Sequence, residues 1–421
     1  MFYRYIVIER GRVKTYYITM SPIEIKQTPQ GCIEEKHMSV MSFSIPRTIY
    51  YGEGALEKLS LLKGKKAALV TGGSSMKKFG FLDQAEALLK KAGISSILID
   101  GVEPNPSVET VMRGAKEMLA FEPDWIVAIG GGSALDAAKV MWCFYEHPEI
   151  SFESIIEPGS MPPLRNKARF IAIPSTSGTA SEITAFSVIT DTKSHIKYPI
   201  VSPDMVPDIA ILDPNIPMTM PAHITANTGM DVMAHAVEAI ASVAATSFTD
   251  PYAIEAMRLV LENLPTAYKE PKNIVAREKM HEASALAGMA FTNASLGLVH
   301  SMAHKIGGEF GVTHGLSNAI LLPYVIAYNR KVSDKYAYAE KLLGIKDISA
   351  EIQRLNKEMD IPLTFKDCTE VDFSEEKFLA VLDRMSEHAF EDPCTLTNPG
   401  APTVADVKMI FEAAYYGKAI K

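Results

Sequence analysis

Residues 124–142 read DWIVAIGGGSALDAAKVMW, and the order of residue types in this stretch decides the fold. Ile126 to Ile129 is a short unbroken apolar run, the pattern of a strand buried on both faces. It ends in Gly130-Gly131-Gly132-Ser133 and passes at once into sequence with helical composition. A buried strand that turns through glycines directly into a helix is a βα unit of a parallel sheet. The glycines let the backbone approach a ligand closely, and the unpaired amides of the helix start suit a phosphate. A purely structural glycine turn is the competing reading, because the run is neither G-x-G-x-x-G nor a Walker loop. Gly131, Gly132 and Ser133 are therefore candidate cofactor contacts. On the same helix Asp136 is expected to anchor the loop or meet the cofactor, and Lys139 to brace the turn.

The alternation extends outward from this unit. Upstream, from Phe43, a strand-like IPRTIYYG leads into a short helix near Ala55 to Leu62. A buried strand, Ala67 to Thr71, then meets a second glycine turn, Gly72-Gly73-Ser74-Ser75. A helix from about Leu82 to Ala92, the strand SSILID and a helix from Val108 to Phe121 complete the approach. Downstream, the strand RFIAIP runs into Pro174-Ser175-Thr176-Ser177-Gly178-Thr179. The hydroxyls of Thr176 and Thr179 beside a strand end can contact a ribose, a phosphate or a nicotinamide. SVITD is strand-like, Lys197 either reaches a cofactor or is a surface group, and MVPDIAILDP holds the last strand. Apolar strands alternating with amphipathic helices indicate an α/β, Rossmann-like domain with a parallel sheet covered on both faces.

After Pro221 the pattern becomes helical to the end, with Pro265, Pro271, Pro323, Pro362, Pro393 and Pro399 expected to punctuate the helices. The reading is of an α/β domain over 41–220 and an all-helical metal-binding and substrate domain over 221–421. Residues 1–40 read as a short hairpin around Arg10-Gly11-Arg12 followed by a tail, or as sequence upstream of a true start at Met38 or Met41. They are assigned no role.

The helical half opens on NTGMDVMAHAVEA and later carries GLVHSMAHKIGGEFGVTHG. Asp231 and His235 are four apart on one helix, so they point to the same side, and His300 and His304 repeat that spacing on another. His314 follows beyond Gly307, Gly308 and Gly311. Two helices and a loop could bring imidazoles and a carboxylate to one point, a donor set for iron(II), zinc or another first-row ion. Four ligands and one further histidine can be placed. On spacing alone, histidines satisfied in the core or lying on the surface are the alternative.

Composition bounds the rest. The chain has 421 residues, 47% apolar and 22% charged, which is ordinary for a globular protein of two domains. A net charge of −8 gives no footprint for a nucleic-acid polyanion. The four cysteines show neither ligand spacing nor a disulfide framework, which fits a reducing compartment. No apolar run is long enough for a membrane span, and the start lacks a secretory signal, so the cytoplasm is expected.

GGGSALDAAK, STSGTASE, the run from Asn227 to His235 and HSMAHKIGGEFGVTHG together resemble the iron-containing, or metal-dependent group III, alcohol dehydrogenases. The resemblance covers about residues 43 to 418. MWCFYEHPE and SMAHKIG are similar to the alcohol dehydrogenase domain of bifunctional aldehyde–alcohol dehydrogenases, without their aldehyde dehydrogenase domain, which implies a stand-alone enzyme. The resemblance implies Asp231, His235, His300 and His314 as metal ligands for Fe(2+), with Zn(2+) also open. It implies His304 as a catalytic histidine beside the nicotinamide and substrate. Gly131, Gly132, Ser133, Asp136, Thr176, Thr179 and Lys197 match cofactor-side positions.

NAD-preferring members carry an aspartate after the first paired strand. This chain has Gly72, Gly73 and Ser75 there, followed by Lys77 and Lys78. An acid would repel a 2′-phosphate, whereas amides, a hydroxyl and lysines accept one. The resemblance thus implies NADP(H) over NAD(H), a short primary alcohol or aldehyde of the ethanol or butanol type, and a homodimer. Phe186 and Phe291 are read as pocket walls or as core. The rival readings are an NAD(H)-dependent polyol or functionalised-aldehyde reductase, and a dehydroquinate synthase-like lyase. A non-enzymatic binding protein would need degraded ligands or a ruined glycine loop.

Overall fold

The structure, a computed structural model, describes residues 2–9, 12–19, 41–193 and 196–420. Met1–Phe43 and Ser44–Lys421 form two compact units. In the first, β1 (Phe2–Glu9) and β2 (Arg12–Thr19) pair antiparallel from Phe2 opposite Thr19 to Glu9 opposite Arg12, the hairpin expected from their β-branched and aromatic content. Residues 20–40, the expected tail and the candidate start at Met38, lie outside the described residues.

The second unit begins with β3 (Thr48–Tyr51) and a short 3-10 turn over Ala55–Leu61. β4 (Lys66–Gly72), α1 (Ser75–Lys78), α2 (Phe81–Lys91), β5 (Ser95–Val102) and α3 (Val108–Phe121) follow. Next come β6 (Trp125–Gly130), α4 (Gly132–Glu146), β7 (Arg169–Pro174), β8 (Phe186–Asp191), β9 (Ile196–Val201) and β10 (Ile209–Leu212). Six strands form one parallel sheet in the order β3-β10-β7-β6-β4-β5. The period of two along the strands sorts its faces. Ala68, Val70, Ile126, Ala128, Phe170 and Ala172 pack with α3 and α4. Leu69, Val127, Ile129, Ile171, Ile173 and Ile211 pack with α2 and the Ala55–Leu61 turn.

β8 and β9 stand apart from this sheet as an antiparallel hairpin. The sequence marks only the first of the two as strand-like. Pro199 and Lys197 obscure the second, and a proline is tolerated there because a two-stranded ribbon is all edge.

The rest of the chain is helical: α5 (Ala222–Ala241), α6 (Asp250–Lys269), α7 (Ile274–Ala294), α8 (Leu298–Phe310) and α9 (His314–Asn329) come first. α10 (Lys335–Leu343), α11 (Ile348–Glu358), α12 (Glu375–Phe390) and α13 (Val404–Tyr416) complete it. Two of the prolines expected to end helices lie inside them, Pro265 in α6 and Pro323 in α9. Pro323 cannot donate to the carbonyl of Ala319, and the side chain of Asn356 donates to that carbonyl instead, at 2.8 Å. α5 is buried on nearly every side and lies at the centre of the helical core, which explains why its apolar stripe fills the whole helix.

Candidate metal centre and cofactor cleft

Five side chains from three helices converge. Asp231 and His235 rise from α5, His300 and His304 from α8, and His314 opens α9. The donor atoms of Asp231, His300 and His314 all lie within 4.8 Å of one another. Asp231 Oδ1 is 3.6 Å from His300 Nε2, 3.5 Å from His314 Nε2 and 3.8 Å from His235 Nε2. Ligands about 2.1 Å from a tetrahedral ion sit about 3.4 Å apart, so these spacings suit a first-row cation among them. The donor set, one carboxylate oxygen and imidazole nitrogens, is the chemistry of iron(II) or zinc sites. A metal-binding cluster is therefore present, and it fits Fe(2+) or Zn(2+).

Packing orients the rings. His235 stacks on Phe291 at 4.3 Å on one side and on His300 at 4.6 Å on the other. Phe186 lies 6.1 Å from Phe291, beside the ring that stacks on His235. The side chains of Asp231, His235 and His300 are at most 5% exposed, against 41% for His314 and 39% for His304. The centre is closed on the His235 side and open where His304 and His314 stack at 5.5 Å. Burial pushes the His235 imidazole down to about 4. Burial would raise Asp231, but the imidazoles of His235, His314 and His300 outweigh it and hold the carboxyl far below the usual range. Burial likewise opposes charge on His300, yet Glu238 and Asp231 push it up to about 9.

The residues expected on the cofactor side include the two glycine turns that follow β4 and β6 at the carboxyl end of the sheet. β4 is followed by β5 on one side while β6 leads to β7 on the other, so the crevice between β4 and β6 is a topological switch point where such sheets bind ligands. Gly72 ends β4, Gly73 takes a φ of 61°, and Ser75 starts α1. Gly131 caps α4, whose first residues are Gly132 and Ser133. A Cβ on Gly132 would lie 2.9 Å from Thr179, and one on Gly131 would lie 3.7 Å from Thr176, so the two loops pack on each other.

Asp136 anchors rather than reaches out through one oxygen: Oδ2 accepts from Val188 N at 3.0 Å. Lys139 braces the start of β8 and the residues just before it instead of its own turn, donating to the carbonyls of Thr184 and Phe186. Lys197 donates to Asn105 Oδ1 at 2.9 Å, in the loop after β5.

The loop after β7 is tied to the helical half through α7 and α5. Ser177 Oγ is 2.9 Å from His281 Nδ1 on α7. Gly178 approaches α5 so closely that a Cβ there would sit 2.8 Å from Thr228. The two halves of the site are thus held in one frame.

Two family models match the chain, iron-containing alcohol dehydrogenase over residues 46–214 and the C-terminal region of the Fe-containing alcohol dehydrogenase family over 225–415. The chain is 51% identical to an NADPH-dependent butanol dehydrogenase of Clostridium saccharobutylicum, covering 90% of this chain and 100% of that protein. The chain belongs to the iron-containing alcohol dehydrogenase family. It is also 39% identical to an aldehyde-alcohol dehydrogenase of Streptococcus pneumoniae over 89% of this chain, and it spans 46% of that longer protein. An iron-containing alcohol dehydrogenase of Thermococcus thioreducens superposes with a TM-score of 0.83 at 36% identity, over 90% of this chain and 100% of that one. As a member of this family the chain is a metal-dependent alcohol and aldehyde oxidoreductase.

This alcohol dehydrogenase surrounds its metal cluster with three residues that the sequence reading does not single out. Glu238 lies one turn past His235 on α5. It accepts from Val299 N at 2.6 Å through Oε1 and faces His300 Nδ1 through Oε2. Its spacing from Asp231 and His235 carries a readable signal, a third polar group on one face of an apolar helix. Asn318 lies one turn past His314 and closes the cluster from α9. Asp392 Oδ2 lies 3.0 Å from His304 Nδ1 and 2.9 Å from Lys305 Nζ. It arrives from the segment between α12 and α13, too far along the chain for spacing to reveal it. Thr395, from the same segment, donates to Ser301 Oγ, and Asn398 accepts from Leu298 N, so this segment clamps α8.

Proposed function

We propose that this alcohol dehydrogenase interconverts short primary alcohols and aldehydes, of the butanol or ethanol type, using NADP(H). The observation that carries the reading is the Asp231–His300–His314 cluster, open on the side of His304 and set in one frame with two glycine turns. Asp231, His235, His300 and His314 would hold the ion, which supplies Lewis acidity toward the substrate oxygen. Gly131, Gly132, Ser133, Thr176 and Thr179 would hold the nicotinamide nucleotide, which would supply or accept the hydride when bound.

The chain's own residues do the rest. His304 stands half-exposed at the open side with Nδ1 held by Asp392, which leaves Nε2 to exchange a proton with the substrate oxygen or a water beside it. Glu238 fixes His300, and Phe186 and Phe291 keep water from the closed corner. Asp136 steadies the cofactor turn through Val188. Gly72, Gly73 and Ser75, with Lys77 and Lys78 next in the chain, favour a 2′-phosphate because the turn offers amides, a hydroxyl and lysines and no carboxylate. The 51% identity to a protein named an NADPH-dependent butanol dehydrogenase supports both the nucleotide and the substrate class. Lys197 is assigned to the outer part of the same cleft.

Residues 41–220 then serve as the nucleotide half and 221–421 as the metal and substrate half. We also assign the enzyme to the cytoplasm as a homodimer. Among the described residues no helix is long and apolar enough to cross a membrane. Cys143, Cys368 and Cys394 are free thiols, as a reducing compartment keeps them.

The test is oxidation of NADPH and of NADH by anaerobically iron-loaded protein with butyraldehyde, alongside metal-stripped protein. Higher kcat/KM with NADPH, lost on stripping and restored by iron, supports the whole reading. A preference for NADH removes the nucleotide assignment and leaves the enzyme class intact.

A further inference from the structure

Asn318 is fully buried on α9, one turn beyond His314. Its Nδ2 lies 2.6 Å from Asp231 Oδ1, 3.3 Å from His300 Nε2 and 3.2 Å from His314 Nε2. These are the three atoms that converge in the metal cluster. One amide nitrogen, with two hydrogens and a partial positive charge, therefore faces a carboxylate oxygen and two imidazole nitrogens at once. The other end of the amide is treated differently. Asn318 Oδ1 is buried and accepts no hydrogen bond among the described residues. A buried amide normally satisfies both ends, and here the oxygen is left unpaired while the nitrogen is aimed at the cluster. The reversed amide would bring its oxygen to 2.6 Å from a carboxylate oxygen, which electrostatics forbids unless a proton or cation lies between them.

We infer that Asn318 is a positioning residue of the metal centre, resting on the metal reading above. Its amide nitrogen holds Asp231 Oδ1 among the imidazoles, so the donor atoms stand assembled before a cation arrives. Groups that orient a metal's ligands in this way set its affinity.

The test uses Co(2+), whose visible spectrum reports its coordination, titrated into metal-free wild type, Asn318→Ala and Asn318→Asp, with thermal melting of each protein with and without the ion. Asn318→Ala is expected to bind Co(2+) about 10- to 100-fold more weakly. Asn318→Asp keeps the shape but sets a second carboxylate against Asp231. It is expected to melt lower than wild type without metal and to gain more from Co(2+) than wild type does. If Asn318→Ala binds Co(2+) within about threefold of wild type, well short of the about 10-fold loss expected for such a group, the inference falls while the metal reading stands. Equal destabilisation of Asn318→Asp with and without Co(2+) would also overturn it, since the side chain would then not face the ion. If wild type itself takes up no Co(2+), the metal reading fails and this inference with it.

Discussion

Glu238 Oε2 lies 2.5 Å from His300 Nδ1, so a buried carboxylate on α5 decides which nitrogen of an α8 imidazole carries the proton. A carboxylate can only accept, so Nδ1 is a donor, and Nε2 is the nitrogen that faces Asp231 Oδ1 and would meet the ion once its own proton has left. The same carboxylate also takes the amide of Val299, which locks the start of α8 in place. A Cβ on Gly297 would come within 3.0 Å of Glu238, so the glycine before α8 is needed for this contact. Glu238→Gln keeps the shape but removes the charge behind His300. Metal affinity is expected to fall about 10- to 100-fold, measured by chelator competition, with the fold retained.

Metal uptake should depend on pH with a definite sign. His300 is pushed up to about 9 against the opposing effect of burial, by Glu238 and Asp231. Below that pH the imidazole is charged and Nε2 bears a proton, which an incoming cation must expel. His235, pushed down to about 4 by burial, is already neutral and adds no slope. The dissociation constant for Co(2+) is therefore expected to fall about tenfold per pH unit between about 7 and 9 and to level off above. In Glu238→Gln the levelling should begin at lower pH. A flat profile over that range would show that His300 is neutral throughout.

His304 and Asp392 make a second carboxylate–imidazole pair, on the open side of the centre. His304→Ala should retain the metal by elemental analysis and lower kcat by about 100-fold or more, because the proton then lacks a positioned relay. Asp392→Asn should retain metal as well and give a smaller loss, since the imidazole remains but loses its orienting charge. Loss of metal from His304→Ala would instead make it a ligand.

The nucleotide assignment turns on one backbone position. A Cβ on Gly73 would have nothing within 4 Å, and its φ of 61° is one that aspartate tolerates better than most residues. Gly73→Asp thus places a carboxylate in the turn without a clash, at the cost of some backbone strain from the positive φ. We expect kcat/KM with NADPH to drop about tenfold or more and that with NADH to hold, since each about 1.4 kcal/mol of repulsion is a factor of ten. Equal losses with both nucleotides would mean that the turn does not meet the 2′ position.

The sheet was legible because β4, β6 and β7 carry apolar runs and the first two end in glycine turns, the pattern of a parallel sheet covered on both faces. The helical second half was legible with it, although α6 and α9 run on through Pro265 and Pro323. The i,i+4 pairs Asp231–His235 and His300–His304 pointed to the cluster, because helical geometry alone fixes those neighbours. What escaped were contacts that helical geometry does not set. Asp392 reaches His304 only through the tertiary path of the segment after α12, and Asn356 repairs the Pro323 gap from another helix. Glu238 and Asn318 sat at readable spacings, but a polar residue on a buried helix declares no partner until the facing helix is known.

Gly315 gives a test of how closely α9 must seat on α5. A Cβ there would lie 2.1 Å from the carbonyl oxygen of Asn227, one turn before Asp231, and that oxygen belongs to the backbone and cannot swing aside. Gly315→Ala must therefore push the two helices apart beside His314, whose Nε2 now lies 3.5 Å from Asp231. Overpacking of this kind costs about 1–3 kcal/mol, more where the backbone must move. We expect a lower Tm in the metal-free protein together with weaker Co(2+) binding. Gly308→Ala is the matched control. That glycine lies in α8 with nothing within 4 Å of its would-be Cβ, so alanine should raise Tm slightly through helix propensity. If Gly315→Ala melts like wild type and binds Co(2+) as tightly, the helices have slack at this contact, and the seating of α9 does not set the position of His314.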